Sequence, residues 1–273
     1  MSLDAELLLR SAGLAGRHAL PIFLTMLALL LAAVCAAAWA VQHSPMRRLP
    51  HTRASLRVLA ARLLTGFAVI VAGAWVFAEL AEKLGAGRAM GRADQALADG
   101  LLASVPAPVV QVFAALTHLG DPLTLTGLSV VVAVMLVATG RRWLAFGWVA
   151  TVAGNGLLNR TLKEVFARVR PLHDDTITQA QGFSFPSGHS SGSVVVFGML
   201  AYLALRLLPP RWHLPIMLVA LALAFSVGAS RVFLRVHFAS DVIAGFASGT
   251  VWLTVCIASI ELTRWVGQRG GGR

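Results

Sequence analysis

Residues 186–208 read PSGHSSGSVVVFGMLAYLALRLL. A four-residue island, Pro186-Ser187-Gly188-His189, opens the stretch, and an apolar run follows with no formal charge before Arg206. About 20 apolar residues suffice to cross a bilayer as a helix. Ser187 suits the N-cap, where its hydroxyl accepts from the N–H groups of the first turn. The stretch therefore predicts a membrane-crossing helix, here 188–208, whose first turn can hold an anion through its free N–H groups and dipole. Gly188 lets the backbone approach such an anion closely, and His189 stands within reach to protonate a departing oxygen. Taken alone, the island also fits an ordinary loop-to-helix junction with an interfacial histidine.

The apolar pattern continues on both sides. The chain has 273 residues, 57% hydrophobic and 13% charged, with mean hydropathy +0.75, against about 25% charged residues in a soluble domain. Seven candidate spans follow: 20–41, 58–80, 122–139, 143–162, 188–208, 214–232 and 242–262. The fold class is all-α, a polytopic transmembrane helix bundle. Residues 1–57 form an N-terminal span with a basic loop, 58–263 the membrane core, and 264–273 a flexible tail ending in glycines. Between the second and third spans, 81–121 reads as an extracytoplasmic or interfacial segment, with a short interfacial helix over Met90 to Leu102. Met1 to Arg17 does not resemble a signal peptide: acidic residues come first and no small-residue cleavage site follows, so 20–41 reads as a retained span. Cys35 and Cys256 fall in apolar runs and imply neither a disulfide nor a zinc framework.

The net charge of +11 would point to nucleic acid in a soluble protein. Here the arginines cluster between spans and no soluble basic face exists, so nucleic-acid binding is excluded. Arg47, Arg48, Arg53 and Arg57, then Arg141 and Arg142, then Arg206 and Arg211, then Arg264, Arg269 and Arg273 all fall on one side of a seven-span chain. The positive-inside rule makes that side cytoplasmic and puts the N-terminus outside, although Arg10 and Arg17 oppose this for the first span.

Two further polar islands match the first. Lys163 ends the fourth span and is followed by Arg170-Pro171; Ser230-Arg231 ends the sixth, and His237 and Asp241 start the seventh. Alternating topology puts every island on the face opposite the arginine-rich loops. Arginine binds phosphate oxygens in pairs and lysine as a point charge, so Lys163, Arg170 and Arg231 supply the charge that a phosphate ester requires. Only Lys83 and Lys163 are lysines among 23 basic residues. His237 and Asp241, four apart, are neighbours on one helix face. The carboxylate can fix the imidazole tautomer and leave the other nitrogen free to attack. Each island has a structural alternative: a snorkelling lysine, a capping aspartate, an incidental histidine. Their shared face favours chemistry.

No metal site is evident. His173, Asp174 and Asp175 read as a solvated acidic loop, and metal-dependent hydrolysis calls for more inward-facing carboxylates. Asn155, Asn159 and Arg160, late in the fourth span, are expected to hydrogen-bond between helices.

Lys163, six residues, Arg170-Pro171; Pro186-Ser187-Gly188-His189; Ser230-Arg231, five residues, His237, three residues, Asp241: this three-part pattern resembles the signature of the type 2 phosphatidic acid phosphatase superfamily, in its integral-membrane branch. The resemblance implies a six-helix phosphatase core, to which 20–41 is an extra N-terminal span. It implies His237 as nucleophile forming a phosphohistidine, Asp241 as its orienter, and His189 as general acid and then base. Lys163, Arg170, Ser187, Gly188 and Arg231 would hold the phosphate, and neither a metal nor a cofactor is called for. The hydropathy sets aside the superfamily's soluble haloperoxidase branch. The expected activity is hydrolysis of a membrane lipid phosphate or diphosphate, such as undecaprenyl diphosphate, phosphatidic acid, phosphatidylglycerol phosphate or a lipid A phosphate. The expected setting is a bacterial inner membrane, with the site facing the periplasm. Two other readings share these residues: a lipid phosphotransferase, and a lipid transporter that uses the cations alone.

Overall fold

A computed structural model describes residues 3–43, 51–84, 88–171 and 182–270. Arg47, Arg48, His173, Asp174 and Asp175, with most of the 172–185 loop, lie outside the described residues. Among the described residues the secondary structure is helical throughout, with no strand. The α-helices are α1 (Leu3–Arg17), α2 (Ala19–His43), α3 (His51–Glu82), α4 (Ala89–Ser104), α5 (Ala107–Thr117), α6 (Pro122–Ala138), α7 (Arg142–Phe166), α8 (Gly188–Leu207), α9 (His213–Phe233) and α10 (Ala239–Gly270).

All seven expected spans lie on helices, α2, α3 and α6 to α10. Length and hydropathy alone qualify five of them, α2, α3, α8, α9 and α10, and a sixth when α5 and α6 are joined across a 43° bend. Among the described residues α7 is long enough but fails on hydropathy, because Asn155, Asn159, Arg160 and Lys163 recur along it. Its polar face turns inward: Asn155 and Asn159 are buried. The expected helix at Met90 to Leu102 is α4. Helices α1 and α5 were not anticipated.

α8 is the central helix. Val196, Phe197, Met199, Tyr202 and Leu203 pack with Leu125 and Leu136 of α6, Trp148 of α7, Ala224 and Val227 of α9 and Ile260 of α10 in one apolar core. Small residues permit the close crossings common between membrane helices. A Cβ on Gly245 or Gly249 of α10 would lie 2.6 Å from the Ser187 carbonyl oxygen or 2.8 Å from that of Ser191. Outside this core, α2 rests on α9 and α3 on α10. They leave Leu64 at 69% and Phe67 at 67% exposure, a surface that suits lipid and not water. Polar side chains inside the bundle find carbonyls: Trp148 Nε1 donates to Ser129 O at 3.0 Å and Trp252 Nε1 to Thr151 O at 2.8 Å.

A second cluster closes one end. Phe113 of α5 stacks on Phe233 of α9 at 3.9 Å, and Phe23 of α2 meets both edge-on. Leu101 of α4 joins them, and α1 lies along α4. Helices α4 and α5 of the 81–121 segment are therefore packed into the bundle at the end where the polar islands lie.

Candidate active site

Each island sits where a helix begins or ends. α7 stops at Phe166, and Ala167 takes a left-handed φ of 42° that turns the chain back, its N–H donating to Lys163 O at 2.9 Å. α8 starts at Gly188 with Ser187 as N-cap, its hydroxyl accepting from Ser190 N at 3.4 Å. Between α9 and α10 a second left-handed residue, Arg235 with φ 56°, lets the chain reverse, and the His237 N–H donates to Arg231 O at 3.2 Å. The turns meet: Ser187 N donates to Asp241 O at 3.0 Å.

Together they line a cavity of about 750 Å³. Lys163, Arg170, Gly188, His189, Arg231 and His237 reach it; Ser187 and Asp241 do not line it and are fully buried beside it. Arg170 Nη1 is 3.0 Å from His237 Nε2 and also donates to Val236 O at 2.8 Å. A guanidinium only donates, so Nε2 carries the lone pair and the proton rests on Nδ1, which faces Asp241 Oδ2 at 3.4 Å. Burial, reinforced by Arg170 and Arg231 and opposed by the Asp241 hydrogen bond, pushes the His237 imidazole down to about 3. At neutral pH it is an uncharged base with its free nitrogen beside the cations. Lys163 Nζ donates to Phe183 O at 2.6 Å. Arg231 Nη1 donates to Thr117 Oγ1 at 2.6 Å, while its buried Nε has no partner. An orphaned guanidinium N–H beside two other cations is what an oxyanion would satisfy. Gly188 is held close to α7: a Cβ there would lie 3.0 Å from Asn159 Oδ1.

Sequence reasoning missed four supporting residues. Arg168, between Lys163 and Arg170, donates to Asp241 Oδ1 at 2.6 Å and to Asp94 Oδ2 at 2.8 Å, and lies 4.4 Å over the Phe238 ring. Asp94 of α4 also accepts from Ser240 N at 3.2 Å and from the Ser240 hydroxyl. Asp121, ahead of α6, accepts from His189 Nε2 at 2.9 Å and from His118 Nδ1 at 2.7 Å. Thr117 anchors Arg231. The expected interhelical role of Asn155, Asn159 and Arg160 holds only for Asn159, which donates to Ser191 Oγ at 3.2 Å. Arg160 pairs with Glu164 on its own helix, its side chain largely exposed at the rim of the cavity. The Asn155 side chain makes no hydrogen bond among the described residues and lines the cavity. No cluster of metal-ligating side chains occurs among the described residues.

The chain is similar to known proteins. The PAP2 superfamily model matches residues 143–265, which span the islands and the helices between them. Phosphatidylglycerophosphatase B of Bacillus subtilis (strain 168) is 34% identical over 141 residues, covering 51% of this chain and 69% of that protein. A lipid A 1-phosphatase of Rhizobium johnstonii is 32% identical over 178 residues, covering 57% of this chain and 69% of that one. The crystal structure of a transmembrane PAP2 type phosphatidylglycerolphosphate phosphatase from Bacillus subtilis superposes with a TM-score of 0.66 at 29% identity. It covers 70% of this chain and 96% of that one.

Proposed function

The chain belongs to the PAP2 superfamily and is a multi-pass membrane phosphatase, and from that premise we propose that it hydrolyses a lipid phosphate through a phosphohistidine on His237. The observation that carries this reading is the neutral His237, with Nε2 held by Arg170 and Nδ1 facing Asp241, in one cavity with Lys163 and Arg231. The phosphate of a membrane lipid enters the cavity and its oxygens take the donors of Lys163, Arg170 and Arg231, including the orphaned Nε, together with the first N–H groups of α8. His237 Nε2 attacks phosphorus, the bond from phosphorus to the lipid oxygen breaks, and His189 supplies the proton to that oxygen. Asp241 stabilises the imidazole as it gains positive character. His189 then takes a proton from water, whose oxygen attacks the phosphohistidine, and inorganic phosphate leaves from a monoester.

The candidate substrates are phosphatidic acid, phosphatidylglycerol phosphate, a lipid A phosphate and undecaprenyl diphosphate. The relatives named for phosphatidylglycerophosphate and lipid A phosphate support the acylated members of that set. The site faces the extracytoplasmic side of a bacterial inner membrane, a reading supported by Arg141, Arg142, Arg206 and Arg211 at the opposite helix ends. The test is phosphate release from these lipids by purified protein in detergent. His237→Ala lowers kcat at least about a thousandfold, in line with removal of a covalent catalyst; wild-type activity in that variant refutes the mechanism.

A further inference from the structure

The cavity extends well beyond the phosphate cage. Below it lie Leu125 of α6, Val152 and Gly156 of α7, and Gly192, Val195 and Val196 of α8, an apolar floor of the kind that receives hydrocarbon. Polar side chains interrupt that floor, Thr126 of α6 and Asn155 of α7 among them. Asn155 is 6% exposed, lines the cavity, and its side chain makes no hydrogen bond among the described residues. On α7 the residues Lys163, Asn159 and Asn155 follow at intervals of four and share a face. Lys163 reaches the phosphate cage and Asn159 is committed to Ser191 of α8. Asn155 lies about 12 Å along the axis below Lys163 at 1.5 Å per residue. Its amide opens on the cavity with no protein partner, so a bound group that displaces water there must offer it an acceptor or leave it unpaired.

Resting on the phosphatase reading above, we infer that Asn155 is a specificity-determining contact. Its amide donates to an acyl carbonyl of the substrate, so the cavity takes an acylated phospholipid in preference to a polyprenyl phosphate. The carbonyl oxygen of an acyl ester or amide, a few bonds from the scissile phosphorus, accepts from the Asn155 NH₂ group. A polyprenyl chain offers only hydrocarbon at that depth and leaves the amide unpaired. Discrimination of this kind is larger than a hydrophobic wall provides, because the penalty falls on an unpaired buried polar group.

The experiment compares a diacylglycerol phosphate, its dialkyl ether analogue of equal chain length, and a polyprenyl phosphate, all presented in the same detergent. The expected wild-type kcat/KM is about tenfold higher for the diacyl substrate than for either of the others, the equivalent of one good hydrogen bond. Asn155→Leu and Asn155→Ala bring that ratio to within about twofold, chiefly by loss on the diacyl substrate. Equal wild-type rates on ester and ether, or variants that lower every substrate alike, overturn the assignment and leave Asn155 a packing residue. Binding of the same intact lipids to His237→Ala protein, followed by native mass spectrometry, separates the two claims. Diacyl lipid bound about tenfold tighter, with the gap closed by Asn155→Leu, supports the contact even where no lipid is hydrolysed, whereas indifference to the carbonyl refutes it even where hydrolysis is confirmed.

Discussion

His237, the nucleophile proposed above, is prepared by burial. Its ordinary value of 6.5 falls to about 3, with desolvation the largest cause. The unfolded chain takes this proton below about pH 6.5, and the folded protein only near pH 3. Acid therefore favours the unfolded chain, and stability present above pH 6.5 is lost progressively as pH falls toward 3. Between pH 7 and pH 4.5 the thermal midpoint of the wild type in detergent drops further than that of His237→Gln; parallel slopes contradict this burial account. Asp121 is a positioning residue for the other histidine, 2.9 Å from His189 Nε2. Asp121→Asn lowers kcat about tenfold or more, a fraction of the roughly 10²–10⁴-fold that a general acid contributes, and changes KM much less; a pure KM effect would make Asp121 a binding group instead. At this scale the signature residues were readable because they lie within a few positions of one another on helix ends. Arg168 and Asp94 were not. Their value comes from contacts 73 and 146 residues away, to Asp241 and Ser240, and nothing local separates Arg168 from any other arginine in a basic loop.

At the scale of elements, the site depends on how closely α10 approaches α8. Gly245 faces the Ser187 carbonyl oxygen, and a Cβ would lie 2.6 Å from it, so Gly245→Val must push the His237 turn away from the α8 N-terminus. The expected cost is about 1–3 kcal/mol of stability, typical of overpacking, with loss of phosphate release exceeding loss of folded protein. A folded Gly245→Val protein with full activity would show that the two helix ends need not touch. The long apolar helices were legible from hydropathy, and α4 from its mixed composition. Helix α5 was hidden by Pro106 and Pro108, which read as loop markers although proline is compatible with a first helical turn. Helix α1 carries Asp4, Glu6, Arg10 and Arg17. It is too polar to read as a span and is recognisable only once α4 supplies its packing partner.

For the molecule as a whole, the arginine-bearing turns and the cavity occupy opposite ends of the bundle, as alternation of the spans anticipated. With Cys35 and Cys256 replaced by alanine, a membrane-impermeant maleimide added to intact cells is expected to label Arg88→Cys, at the start of α4, and to spare Arg206→Cys. The reverse pattern places the site on the cytoplasmic face. Counting spans and matching islands made the architecture readable, and with it the residues that meet at and beside the cavity. The supporting frame of Asp94, Thr117 and Asp121 was not, since 81–121 read as an interfacial segment with one short helix and nothing in its sequence tied it to the islands. The central claim is that three separate chain segments build one phosphoryl-transfer site on His237, and rapid quenching tests it most directly. Wild-type protein mixed with lipid carrying labelled phosphate is predicted to retain label on the peptide containing His237, stable to base and released by acid. Turnover with no label on that peptide at any quench time would contradict it.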